Sequence, residues 1–192
     1  MSMKRKIKIV NNAPLTLGFI AACLTVTITG MLTGGKSTSL LFMTYRSSFL
    51  DPLTYLRMFT HVLGHRDLGH FAGNAMYLLL IGPMLEEKYR SGTLLKVIVI
   101  TAVVTALVNM ILFPNTALCG ASGVVFAFIL MASFTRFRSG EIPITFLLIA
   151  VFYIGQQIIQ GIAATDNISN MAHIIGGVIG AIAGYEFNKK LY

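Results

Sequence analysis

The sequence predicts an all-α membrane protein: a bundle of six transmembrane helices with a short, submerged fourth helix and an interfacial helix in the first loop. Three observations carry that prediction. Of 192 residues, 55% are hydrophobic and only 11% charged, which is too apolar and too charge-poor for an ordinary soluble domain. The charged residues leave uncharged runs of the length that crosses about 30 Å of hydrocarbon. The basic residues collect at alternate connections between those runs. Six spans of about 20 residues use about 120, so a single membrane domain over residues 1–192 is expected, with no soluble domain.

Taken in order, Lys8 to Lys36 encloses 27 uncharged residues and holds a first span near 14–34. A basic stretch precedes it, as in a signal peptide, but the run is longer than such a region and no clear A-x-A site follows, so an uncleaved helix is expected. The segment 37–67 is the one sizeable stretch outside the spans. In it Asp51 can serve as N-cap and Pro52 as first helical residue. Leu53, Leu56, Phe59, Val62 and Leu63 then recur at helical spacing up to Gly64, which predicts an amphipathic helix over 52–63 in the outer interface.

Asp67 to Glu86 encloses 18 uncharged residues, giving a second span near 68–86. The longest run, Lys96 to Arg136, has 39. Pro114-Asn115 and Cys119-Gly120-Ala121-Ser122-Gly123 break it into spans near 93–113 and 121–136. Runs of 24 and 19 residues, on either side of Asp166, hold spans near 142–162 and 168–187. Cys23 and Cys119 read as apolar thiols rather than a disulfide pair.

Eleven of the fifteen Lys and Arg fall on one side: Lys4, Arg5, Lys6, Lys8, Lys88, Arg90, Lys96, Arg136, Arg138, Lys189 and Lys190. The positive-inside rule then makes both termini cytoplasmic. The net charge of +8 is accordingly a topology signal, and no nucleic-acid partner is expected.

Polar residues at membrane depth are costly and mark function. Four stand out: His70 and Asn74 in span two, Ser122 in span four and His173 in span six. Spans two, four and six all start at the outer face. At 1.5 Å per residue, Asn74 and His173 each lie roughly 9 Å below the outer edge of their spans. Span four, fifteen residues from Ala121 to Thr135, reaches only about 22 Å and stops about 8 Å short of the outer surface. Ser122 is thereby expected at the same depth, with residues 114–121 lining a water-filled cavity open to the outside. Gly176, Gly180 and Gly184 on one helix and Gly123 and Ala127 on another supply small residues for close helix packing.

A serine needs a neighbouring base to become a nucleophile, and His173 is the histidine on the stripe facing span four. The first-turn N–H groups of span four and the side chains of Asn74 and His70 are candidate donors to a developing oxyanion. No third triad member is evident, since Asp166 reads as a span boundary. Gly120-Ala121-Ser122-Gly123 also departs from G-x-S-x-G with its preceding strand, which excludes an α/β-hydrolase.

These residues resemble the rhomboid intramembrane serine proteases. Gly120-Ala121-Ser122-Gly123 is similar to the family's GxSG motif, and Ala172-His173 with Gly176 and Gly180 to its sixth span. His70-Phe71-Ala72-Gly73-Asn74 is similar to its HxxxN motif, and Gly82-Pro83-Met84-Leu85-Glu86 to its GxxxE. The resemblance covers the chain from about Arg57 to its end. It implies a minimal six-helix bacterial type in the plasma (inner) membrane, cleaving single-pass or multi-pass membrane proteins in the bilayer without cofactor or metal. It also implies Ser122 as nucleophile and His173 as general base and then acid. The resemblance further implies an oxyanion hole formed by His70, Asn74 and the Ser122 backbone N–H, with the Ala121 N–H as a further donor. Two positions depart from the pattern: Leu56-Arg57 stands where Trp-Arg is frequent, which bears on anchoring of the first loop, and Phe126 stands where a Tyr packs beneath the histidine.

Three other readings compete. His61 and His65 sit four apart but lack the glutamate of HExxH, against a zinc protease, and His65 reads as support for the loop entering span two. His70 and His173 could be relay groups of a transporter or proton channel, but the other spans carry no intramembrane acid or base, only Gln156, Gln157 and Gln160. A rhomboid-like protein that binds membrane clients without cutting them is the third, and the presence of both Ser122 and His173 speaks against it.

Overall fold

The computed structural model describes residues 9–135, 142–163 and 168–189. Lys4, Arg5, Lys6, Lys8, Arg136, Arg138, Asp166 and Lys190 lie outside them, as do the side chains of Gln156, Gln157 and Gln160. The described residues form helices α1 (Pro14–Leu32), α2 (Lys36–Leu41), α3 (Pro52–Thr60), α4 (Leu68–Leu112), α5 (Ser122–Ala132), α6 (Ile144–Ala163) and α7 (Ile168–Lys189). The extended pairing recorded among them is one antiparallel bridge, Thr44 with Leu118. Its two N–H···O bonds of 2.9 and 2.8 Å tie the first loop to the segment before α5.

Two expectations need correction. The expected spans near 68–86 and 93–113 leave residues 87–92 between them, but in α4 helical backbone continues up to and beyond a kink whose one non-helical residue is Arg90 (φ 67, ψ 154). Its two arms are brought back alongside each other by that one residue. Asn74, early in the first arm, and Asn109, late in the second, both reach the segment before α5, through His65 and Thr116 respectively. Lys88, beside the kink, instead reaches the far ends of α5 and α7, donating to the Thr135 carbonyl and to Asn188 Oδ1. Secondly, α5 has 11 helical residues, fewer than expected, because the chain leaves the helix in a turn over 133–135.

The expected start of α3 is present. Asp51 Oδ1 accepts from the Leu53 N–H at 2.9 Å and Pro52 opens the helix. The turn continues as a 3₁₀ segment, His61–Leu63. Arg57 is buried and anchors the loop without a tryptophan: its Nε donates to the Leu40 carbonyl at 2.8 Å, its guanidinium stacks 4.7 Å over the Tyr45 ring, and Asp51 lies 3.6 Å away. Tyr55, Leu56 and Phe59 form an exposed apolar face.

The exterior departs from the pattern of a soluble domain. Leu32, Leu80, Leu112, Phe152 and Ile182 face outward, while Ala102, Ala106, Ala121 and Ala127 are fully buried among larger neighbours. Such continuous exposed apolar surface belongs against lipid. Cys23 and Cys119 are both free thiols.

Helix α1 begins with no side-chain cap of its own. Glu86 of α4 supplies one: its carboxylate accepts from the Leu15 N–H (2.8 Å), the Thr16 N–H (2.9 Å) and the Thr16 hydroxyl (2.8 Å), and from the Ser91 hydroxyl (2.7 Å). A carboxylate at a helix N-terminus answers both the orphan donors and the dipole. Glu86→Ala is expected to destabilise the fold by about 3 kcal/mol, because buried donors lose a charged acceptor. Thermal unfolding in detergent checks this, and an unchanged midpoint would contradict the capping role.

Candidate active site

The site is assembled at the start of α5. A stripe of small residues on α7 packs directly on the α5 backbone: a Cβ at Gly176 would collide with the Gly123 carbonyl oxygen, and one at Gly180 with the Ala127 carbonyl oxygen. Gly184 in turn faces Met131 and Phe134. The pairs advance together along both helices, so α5 and α7 run parallel and in register. That register sets His173, one turn before Gly176, level with the first turn of α5, where Ser122 opens the helix. Both residues are half-buried. The Phe126 ring packs on the His173 imidazole with centroids 4.5 Å apart and planes at 43°, so a phenyl ring fills this place without a hydroxyl.

The segment before α5 is wound tightly against α4. Gly120 has φ +130, a conformation that favours glycine. A Cβ there would lie 2.8 Å from Cε1 of the His70 ring, so the missing side chain is also what lets His70 approach. The Gly120 N–H donates to the His61 carbonyl at 3.0 Å. Ser122 is the first residue of α5, and the N–H groups of a helix's first turn have no intrahelical acceptor.

Asn74 and His70 lie one turn apart near the N-terminal end of α4; the His70 ring lies against Gly120 and Asn74 against His65. His70 Nδ1 is buried with no hydrogen-bond partner recorded. The Asn74 amide nitrogen lies 3.1 Å from His65 Nε2. The Ala121 N–H, expected to face a substrate oxygen, points instead to the same His65 nitrogen at 3.4 Å. His65, which sequence reasoning assigned only to loop support, is thus central to the site; the signal for it is its position five residues before His70, just outside the helix.

His61 and His65 are committed to the protein. His61 Nε2 donates to the Ala102 carbonyl at 2.9 Å, and His65 Nδ1 lies 3.1 Å from the Leu63 carbonyl. Burial pushes both imidazoles down to about 4, with the nearby His70 adding to the effect at His65. Both are therefore neutral at pH 7. The four-residue spacing that suggested zinc serves two separate backbone contacts.

Residues 52–190 match the family model of the Rhomboid domain. The chain is 27% identical over 178 residues to the rhomboid protease GlpG of Serratia proteamaculans (strain 568), an overlap of 90% of this chain and 62% of that protein. It is 28% identical over 179 residues to the rhomboid protease GlpG of Yersinia pestis (strain Pestoides F), again over 90% of this chain and 62% of the relative. The chain thus spans a little under two thirds of the length of these curated relatives.

Proposed function

The chain belongs to the rhomboid family, and from that membership we propose that it is an intramembrane serine endopeptidase working through a Ser122–His173 dyad. The observation that carries the reading is the parallel register of α5 and α7, which supports a serine and a histidine meeting at one level. In this mechanism His173 takes the proton from Ser122 Oγ as the oxygen attacks the scissile carbonyl carbon. The resulting oxyanion is met by the Ser122 N–H at the positive end of α5, by the Asn74 amide and by a ring N–H of His70. His173 then protonates the leaving amine, and a water activated by the same imidazole releases the acyl group.

The whole domain, 1–192, is read as six spans with both termini cytoplasmic in a bacterial plasma membrane. The two arms of α4 count as spans two and three. An 11-residue α5 covers only about 17 Å of a roughly 30 Å core. That supports a submerged Ser122, reached by water from the extracytoplasmic side. Substrates are transmembrane segments that unwind readily, because a peptide must leave its helix before its carbonyl can be attacked. A small residue before the scissile bond suits a site walled by helices in backbone contact.

Reaction with a serine-directed fluorophosphonate tests the dyad without a natural substrate. Wild type is expected to label at Ser122, and His173→Ala to label at least about 100-fold more slowly, since the general base is gone. Equal labelling would refute the dyad. Absence of labelling in the wild type would favour a rhomboid-like protein that binds membrane clients without cutting them.

A further inference from the structure

We propose that His65 is a positioning residue for the oxyanion hole, its Nε2 accepting from the Asn74 side-chain amide and the Ala121 backbone N–H while its Nδ1–H donates to the Leu63 carbonyl. The inference rests on the reading of Asn74 as an oxyanion donor. It begins from a group that leaves no choice: a carbonyl oxygen only accepts, so the Leu63 oxygen 3.1 Å from His65 Nδ1 requires the proton on that nitrogen. Nε2 then carries the lone pair. A lone pair at 3.1 Å demands the nitrogen end of the Asn74 amide, not its oxygen. The chain of constraint runs from a backbone carbonyl in the 3₁₀ turn, through one imidazole, to the orientation of an amide buried at the outer end of α4.

An amide held by one N–H keeps its second N–H free for a developing charge and cannot flip its oxygen toward that charge. This is preorganisation, in which a donor is useful because it is already aimed. The same nitrogen holds the Ala121 N–H, so it also fixes the segment that delivers Ser122 to the start of α5. The ring itself is held edge-on, with centroids 5.0 Å from His70 and 5.7 Å from Phe71. It is buried, and a neutral ring keeps the acceptor present at working pH.

The test compares His65→Leu, which removes the acceptor, with His65→Gln, whose amide oxygen can accept, using cleavage of a transmembrane reporter in detergent. His65→Leu is expected to lose about 10- to 100-fold in kcat with KM nearly unchanged, less than outright deletion of a donor, and His65→Gln to recover most of it. Combined with Asn74→Ala, His65→Leu should cost less than the product of the two single losses. Multiplicative losses, or equal impairment by Leu and Gln, would overturn the inference. So would a silent His65→Leu beside an impaired Asn74→Ala, with the oxyanion reading left standing. A silent Asn74→Ala would instead remove the oxyanion reading and this inference with it. Should His65→Leu fail to fold, ¹⁵N shifts of the labelled wild-type ring decide: a proton on Nδ1 supports the assignment, and one on Nε2 overturns it.

Discussion

Ser122→Ala is expected to abolish cleavage of a transmembrane reporter while the protein still folds. In a serine protease with a full triad, removing the nucleophile lowers kcat by about 10⁶, and a loss of that order here leaves no measurable product. The expected cost to the fold is small. Ser122 opens α5, and the packing of that helix rests on Gly123, Ala127 and Met131 against α7, none of which the substitution alters. The thermal midpoint should stay within a few degrees of wild type. A chelator should leave wild-type activity unchanged, because the two histidines whose spacing suggests zinc are each engaged with backbone carbonyls. Cleavage undiminished in Ser122→Ala would remove Ser122 from the mechanism, whatever its position at the head of the helix.

Much of this arrangement was legible in the chain because it depends on local pattern. The cap at Asp51-Pro52 needs only two adjacent residues, and the contact stripe on α7 needs only glycine every fourth residue. Other features depend on partners distant in sequence, and composition cannot carry them. Leu56 suggested a weakened first loop, yet Arg57 anchors it through Leu40, Tyr45 and Asp51. Lys88, Arg90 and Lys96 suggested a loop between two helices. The chain instead reverses at Arg90 alone (φ 67), a conformation that arginine does not favour; Ser91-Gly92 beside it signals a turn but does not place the left-handed residue on Arg90. His65 read as loop support because its three polar contacts come from a carbonyl two residues back, an amide nine residues on and an N–H 56 residues on. The last of these exists only once α4 and the segment before α5 have met.

Gly180→Ala and Gly176→Ala should damage the protein more than any other single added methyl group on these helices. In a helix exposed to solvent or lipid, alanine for glycine is favourable by about 0.5–1 kcal/mol. Here the added carbon would occupy the space of the Ala127 or Gly123 carbonyl oxygen. Backbone atoms cannot rotate aside as a side-chain terminus can, so α7 must move away from α5 as a unit. Overpacking of this kind costs roughly 3 kcal/mol, or about 10 °C in midpoint for a chain of this length. Gly18 and Gly92 provide the control, since a Cβ at either meets nothing within 4 Å, and alanine there should leave the midpoint unchanged or slightly raised. The two stripe positions should also differ from each other. Gly176 lies one turn from His173, and a shift of about 1 Å in a reacting group can cost 100-fold in rate. Gly176→Ala should therefore lose cleavage at temperatures where it is still folded, whereas Gly180→Ala, a turn further along, should lose stability first. A Gly180→Ala protein with a wild-type midpoint would show that α5 and α7 are not in backbone contact, and the level placement of Ser122 and His173 would lose its physical basis.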